Sequence, residues 1–296
     1  MHETVGDIMS AKFGPAGNSS SFKEMGYKHS LEVPEYLVKM GLDHFEYQCG
    51  RGVNIGEDKA KEFGNVAKEK GISLSLHAPY YISMSSVEEA KRLNSINYIL
   101  QSARAVSAMG GNRIIVHTGS CGKISREEAL SLASDTMKLA LSALKDENLS
   151  HIHICPETMG KVNQLGTLEE VIALCQIDES IIPCIDFGHL NARTMGAIKT
   201  KDDYRQILDL LENKLGTERT KVFHSHFSKI EYTTGGEKKH LTFEDSVFGP
   251  DFEPLMELVS ERNYSPIFVC ESDGTQAEDA LKMKQYYKSL AKAFEP

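Results

Sequence analysis

The sequence predicts an α/β fold, a (β/α)8 or TIM barrel built as one domain over residues 1–296. Three observations predict it. Short β-rich runs alternate with longer amphipathic stretches from end to end, the pattern of βα units feeding a parallel sheet. No linker rich in Pro, Gly or Ser and no low-complexity segment interrupts the alternation. Counting gives eight segments of each kind, the number a closed barrel requires, with a doubly wound open sheet as the alternative use of the same units.

In chain order, strands are expected at residues 7–14, 42–48, 72–77, 113–117, 151–157, 181–186, 221–226 and 266–271. Helices alternate with them at residues 33–40, 59–70, 87–109, 126–146, 167–175, 202–213, 252–262 and 277–294. Gly71, Gly110 and Gly111 punctuate two helix ends, where a left-handed residue commonly closes the last turn. The Gly- and Ser-rich residues 14–28 follow the first strand and serve either as a plain loop or as a cover over the site.

Composition narrows the class. Hydrophobic content of 41% and charged content of 25% suit a soluble globular chain, and no apolar run approaches the roughly 20 residues that span a bilayer. Residues 1–7 lack the basic and apolar regions of a signal peptide, so a cytoplasmic location is expected. The six cysteines include no C-x-x-C pair and read as reduced, mostly buried thiols. A net charge of −9 argues against indiscriminate adhesion to nucleic acid. Lys229, Lys238 and Lys239 form the one candidate basic patch on a predicted loop, unless they are simply a solvated surface run.

A barrel opens the C-terminal ends of all its strands onto one face, so residues distant in sequence become neighbours there. Six strand-like runs place a candidate ligand at or near that end: His77, His117, Glu157, Asp186, His224 and Glu271. The run Cys184-Ile185-Asp186-Phe187-Gly188-His189 adds an imidazole three residues after its carboxylate, and His240 follows in the loop after the seventh strand. A single His at a strand end is usually a hydrogen-bonded core residue, but repetition at so many ends points to metal. Zinc takes about four ligands, so this many donors imply two or three ions. Imidazole and carboxylate donors without thiolate suit Zn²⁺, with Mn²⁺ as the alternative. Glu157 can bridge two ions, which an imidazole cannot, and is the natural centre. His151 and His153, deeper on the fifth strand, read as core residues, and His29 and His44 as surface or packing residues.

The runs Leu76-His77-Ala78-Pro79-Tyr80-Tyr81-Ile82, Val116-His117-Thr118-Gly119, Glu157-Thr158-Met159-Gly160, Asp186-Phe187-Gly188-His189 and His224-Ser225-His226-Phe227-Ser228-Lys229, with Glu271 closing the series, resemble the motifs of the endonuclease IV family in order. That resemblance implies a TIM barrel with three zinc ions that hydrolyses the DNA backbone 5′ to abasic sites during base-excision repair. It implies one zinc on His77, His117 and Glu157, a second on Glu157, Asp186, His224 and Glu271, and a third on His189 and His240. Glu157 and Glu271 are the catalytic glutamates on this reading, Arg51 and Tyr80 the DNA-binding residues, and the partner is abasic duplex DNA met by a monomer without membrane contact. The sequence departs from the family at Lys238-Lys239-His240, where an Asp-x-His is expected; the third site is then either lost or completed by Glu237 or His226. Arg51 is flanked by Gly50 and Gly52, which cannot wedge a base stack.

A second class fits the same residues. Related barrels that isomerise or epimerise sugars hold one divalent ion on a Glu-Asp-His-Glu set, and Glu157, Asp186, His224 and Glu271 satisfy that pattern. Two of those glutamates would act as acid and base beside a carbonyl. Glycine around Arg51, the acidic net charge and Lys238 favour this class, while His77, His117 and His189 exceed what it needs.

Overall fold

The computed structural model describes residues 10–292. Eight strands are parallel: β1 Lys12–Pro15, β2 His44–Gln48, β3 Ser73–His77, β4 Arg113–Val116, β5 His153–Pro156, β6 Cys184–Asp186, β7 His224–Phe227 and β8 Ile267–Cys270. They hydrogen-bond as two four-stranded sheets, β2 to β5 in sequence order and β1-β8-β7-β6. Bridges between Ala16 and Glu46 and between Glu157 and Cys184 join the sheets at both seams and close the barrel. Residues 7–9 of the expected first strand, and residues 1–7 that bear on a signal peptide, lie outside the described residues.

Eight helices surround the strands: α1 Val33–Met40, α2 Glu57–Glu69, α3 Glu89–Ala108, α4 Arg126–Asp146, α5 Leu168–Cys175, α6 Lys201–Leu215, α7 Glu253–Glu261 and α8 Gln276–Lys292. Gly71 and Gly110 adopt φ of +71° and +77° just past α2 and α3, the left-handed stop expected of them. Among the described residues, no helix is long and apolar enough to cross a membrane. All six cysteines are free and buried.

Strand alternation divides the interior in two. Outward residues such as Phe13, Leu76, Ile154 and Phe268 belong to the large core shared with the helices, while Ile115, Cys155, Ile182 and Cys184 form a separate small cluster. The inward positions nearest the C-terminal ends are polar instead, and that is where the site lies.

Short elements are added to the eightfold plan, among them Ser30–Glu32 and Thr217–Lys221, and three of them bear on the site. Ser20–Glu24 is a helix whose Phe22 is buried against Tyr27 and Tyr36, and Ser19 beside it accepts the Ala277 N–H at 2.6 Å, so residues 14–28 are partly packed down. Phe187–Arg193 is a helix beginning directly at Asp186. Lys229–Thr233 and Gly236–Leu241 form an antiparallel hairpin after β7.

The loop after β5 is held by the start of α5. Thr167 Oγ accepts the Glu170 N–H at 3.1 Å, while the Glu170 carboxylate accepts the Gly166 and Thr167 N–H groups at 2.7 and 2.9 Å. Arg126 grips the same carboxylate through two 2.7 Å hydrogen bonds, tying α4 to α5. Thr167→Ala should lower the unfolding free energy by about 1 kcal/mol without changing metal content. Denaturant titration checks it; unchanged stability would assign the loop's order elsewhere.

Candidate metal centre

The centre is assembled around Glu157, which follows β5 and is fully buried. Its Oε2 lies 3.4 Å from His77 Nε2 and 3.1 Å from His117 Nε2, and its Oε1 lies 3.3 Å from His189 Nδ1 and 3.1 Å from His226 Nδ1. One carboxylate therefore stands between two sets of imidazoles. His77 ends β3, and its Nδ1 donates to the Ala78 carbonyl at 2.9 Å, which leaves Nε2 facing Glu157. His117 follows β4, with its ring edge-on to His77 at 4.9 Å.

The second set joins Glu157, Asp186, His226 and Glu271, whose ligand atoms all lie within 4.8 Å of one another. Asp186 acts as helix cap and site residue at once. Its Oδ1 accepts the His189 N–H at 2.7 Å, starting the Phe187–Arg193 helix and leaving Oδ2 for the centre. The Asp-x-x-His spacing is thus the spacing of a cap and the third residue of a helical turn.

The third set joins His189, Glu237 and His240. His189 Nδ1 donates to the Thr158 carbonyl at 3.0 Å, and its Nε2 lies 3.4 Å from Glu237 Oε2. His240 Nδ1 is hydrogen-bonded to Ser228 Oγ at 2.8 Å, leaving Nε2 toward Glu237. The departure at Lys238 resolves in the hairpin register. Glu231 pairs with Lys239 and Tyr232 with Glu237, so Lys238 is the extra residue of a bulge. With Lys238 looped out toward Glu231, Glu237 and His240 come to one side as residues two apart would. Gly160 permits this packing, since a Cβ there would come within 2.6 Å of the Glu237 Cβ and 2.7 Å of the His189 ring.

His224 is placed differently from its expected position. It pairs across β6 with Cys184, whereas His226 pairs with Asp186. Both imidazoles face inward because they are two apart, but His224 lies one layer deeper and His226 reaches the carboxylates. Buried His224 donates through Nε2 to Glu46 at 2.9 Å, and burial lowers its pKa to about 4 against the pull of that carboxylate. Cys184, His224 and His226 also cluster, but burial pushes the Cys184 thiol well above its usual pKa, and a protonated thiol is a poor ligand. Sequence reasoning passed over Glu46 altogether. Its signal was the polar face His44-Glu46-Gln48 alternating with Phe45 and Tyr47 on a strand that must be buried.

The other expectations divide. His153 and His151, at the opposite end of β5, bond to the Ser180 carbonyl and to Ser107, and His44 is buried between Ser73 and Ser75. Arg51 and Tyr80 are exposed on adjoining loops joined by the Tyr80 N–H to the Gly50 carbonyl at 3.2 Å. Tyr80 and Tyr81 pack with ring centroids 4.4 Å apart. The lysine patch does not form as expected. Lys229 is buried on Asp251 and the Asp245 carbonyl and Lys238 pairs with Glu231, so only Lys239 faces a cleft of about 390 Å³ beside Gln48, His240, Glu271 and Asp273.

The donor set fits divalent metal. Glu157 Oε2 and Asp186 Oδ2 are buried with no hydrogen-bond partner among the described residues. Burial, with the charges of Glu271 and Glu157, raises the Asp186 pKa against the pull of His189 and His226. Burial opposes charge on His77, His189 and His226, yet their carboxylate neighbours override it and raise all three, His189 to about 10.

Against this geometry, the sequence profile described as the xylose isomerase-like TIM barrel matches residues 34–291. The chain belongs to that family. Within it, a relative from Methanocaldococcus jannaschii described as an uncharacterized protein is 33% identical over 274 residues, 93% of this chain and 96% of its own. A probable endonuclease 4 from Aster yellows witches'-broom phytoplasma is 26% identical over 223 residues, 72% of each chain. Among solved structures, a D-tagatose 3-epimerase-like protein superposes with a TM-score of 0.72 at 17% identity, covering 95% of this chain and 98% of the other. Endonuclease IV from Thermus thermophilus gives a TM-score of 0.63 at 15% identity, covering 95% of this chain and 99% of the other. These two likenesses establish the xylose isomerase-like fold and leave the chemistry to the site.

Without metal, a raised histidine pKa stabilises the folded chain below its unfolded value near 6.5, and that contribution is lost as pH rises through the folded value. For His189 the window runs from about 6.5 to about 10. Divalent ions compete with those protons, so Zn²⁺ affinity should rise with pH across the window and loading at pH 7 should release protons. Calorimetry in buffers of different ionisation enthalpy measures the release; a titration heat independent of buffer would show that these imidazoles are not the ligands.

Proposed function

We propose that this protein is a zinc-dependent phosphodiesterase of the endonuclease IV type, cleaving duplex DNA 5′ to abasic sites. The observation that carries the reading is the number and grouping of the donors. Glu157, Asp186, His226 and Glu271 suffice for one ion, yet His77 and His117 flank the other oxygen of Glu157 and His189, Glu237 and His240 form a third group. Three such groups suit the phosphate oxygens and leaving group of a phosphodiester. The relatedness to probable endonuclease 4 over 72% of this chain supports it.

Divalent ions bound there would supply a strong nucleophile at neutral pH and offset charge on the phosphate oxygens. The chain's own groups orient the rest. Glu157 holds both imidazole sets at one depth, with its pKa kept well below the usual range, against the cost of burial, by His226 and His117. Lys239 at the cleft offers a cation to the DNA backbone on an otherwise acidic protein. Arg51 supplies a second, and the exposed Tyr80 ring offers a stacking surface beside the gap left by a missing base. Glu271 lines the cleft, whereas Glu157 is fully buried, so Glu271 is the glutamate open to a substrate there.

A sugar isomerase or epimerase is the second reading, favoured by the completeness of the four-residue group alone and by glycines at the position of a DNA wedge.

Incision of a duplex containing one abasic site tests the proposal. Zinc-loaded protein should cut it and chelator should abolish cutting. His117→Ala should lower kcat by about 100-fold or more, the several kcal/mol a catalytic ion contributes, whereas Arg51→Ala should chiefly raise KM. Zinc-loaded protein that leaves abasic DNA intact but epimerises a ketohexose would replace the nuclease with the second reading.

A further inference from the structure

The structure assigns Glu46 as a positioning residue that fixes which ring nitrogen of His226 faces the metal centre. This rests on the metal-centre reading above, and deepens it. Glu46 lies on β2, on the far side of His226 from Glu157, and is fully buried. Four donors converge on its two oxygens. Oε1 accepts from His226 Nε2 at 2.9 Å and from Gln48 Nε2 at 3.2 Å; Oε2 accepts from His224 Nε2 at 2.9 Å and from Ser75 Oγ at 2.9 Å. A carboxylate has about four acceptor sites, so Glu46 is saturated.

That saturation dictates proton positions across the layer. With its Nε2–H committed to Glu46, His226 turns Nδ1 toward Glu157 and Glu271, at 3.1 and 3.6 Å, where a bound ion would take the place of the Nδ1 proton. Ser75 spends its one hydroxyl proton on Glu46, so it can only accept from His44 Nε2, 2.8 Å away. Beyond His44, the single Ser73 hydroxyl proton has two acceptors in reach, His44 Nδ1 at 2.9 Å and the Asp43 carbonyl at 3.1 Å. From His44 Nε2 inward, every donor in this buried chain points toward Glu46. A carboxylate behind a ligating imidazole also raises its basicity toward a cation. An amide at position 46 could not do the same. Its nitrogen would meet two donors head-on, forcing His224 or His226 to exchange its ring proton.

Two measurements test the assignment. In the first, the metal-free protein is titrated with Zn²⁺ alone against a chromophoric chelator. Glu46→Gln should bind one class of Zn²⁺ about 10- to 100-fold more weakly, leaving the other classes unchanged. Unaltered affinity in all classes would overturn the assignment. The second needs no variant and decides the matter if Glu46→Gln fails to fold. Nitrogen-15 spectra of histidine in the zinc-loaded wild-type protein should show Nδ1 of His226 shifted by the ion and Nε2 protonated; Nε2 as the metal-bound nitrogen would overturn it. Neither measurement uses a substrate, so a failed incision assay leaves this result standing, and the reverse.

Discussion

The burial of the Glu157 carboxylate is the constraint from which the rest of the centre follows. A lone carboxylate taken out of water costs several kcal/mol even after relaxation, so the fold must supply partners at that depth. It does so with imidazoles from β3, β7, the loop after β4 and the helix that begins at Asp186. Glu157 also stands at the seam, bridging to Cys184 where β5 meets β6. The group of Glu157, Asp186, His226 and Glu271 therefore draws on both sheets and is complete only where they meet, whereas His77 and His117 come from one sheet and His189, Glu237 and His240 follow strands of the other.

Beneath this layer lies a second polar layer that an ordinary barrel would fill with aliphatic side chains. Glu46, His224, His44 and Ser75 occupy it, and their hydrogen bonds are mutually consistent only with an ionised Glu46. Such a buried polar network contributes less to stability than apolar packing would, and it defines one arrangement of donors and acceptors. The small apolar cluster of Ile115, Cys155, Ile182 and Cys184 lies apart from the main core, with the buried Arg113 beside Cys155 and Cys184.

At the rim, charge is managed locally. Lys229 and Lys238 are consumed by Asp251 and Glu231, which stabilise the hairpin carrying Glu237 and His240. Lys239 and Arg51 remain exposed, so cations stand beside the site on a protein whose overall charge is −9. The hairpin bulge shows how one inserted residue can leave a ligand pair intact: the extra length is absorbed at Lys238, and the side-chain alternation on either side is preserved.

The sequence by itself determined the eightfold alternation and the helix stops at Gly71 and Gly110, because these depend on local periodicity and backbone freedom. It also singled out His77, His117, Glu157, Asp186, His189, His240 and Glu271, and the structure brings these to one end of the barrel, where parallel strands must converge. Depth was decided only by tertiary structure. His224 and His226 share a face under a period of two, and nothing local distinguishes the deeper from the shallower; the register against β6 does. The polar face of β2 hinted at Glu46 but not at its role, since Ser75, His224 and His226 lie 29 and about 180 residues away in sequence. A strand's own residues specify which face points inward, but only the stagger of its neighbours specifies what that face meets.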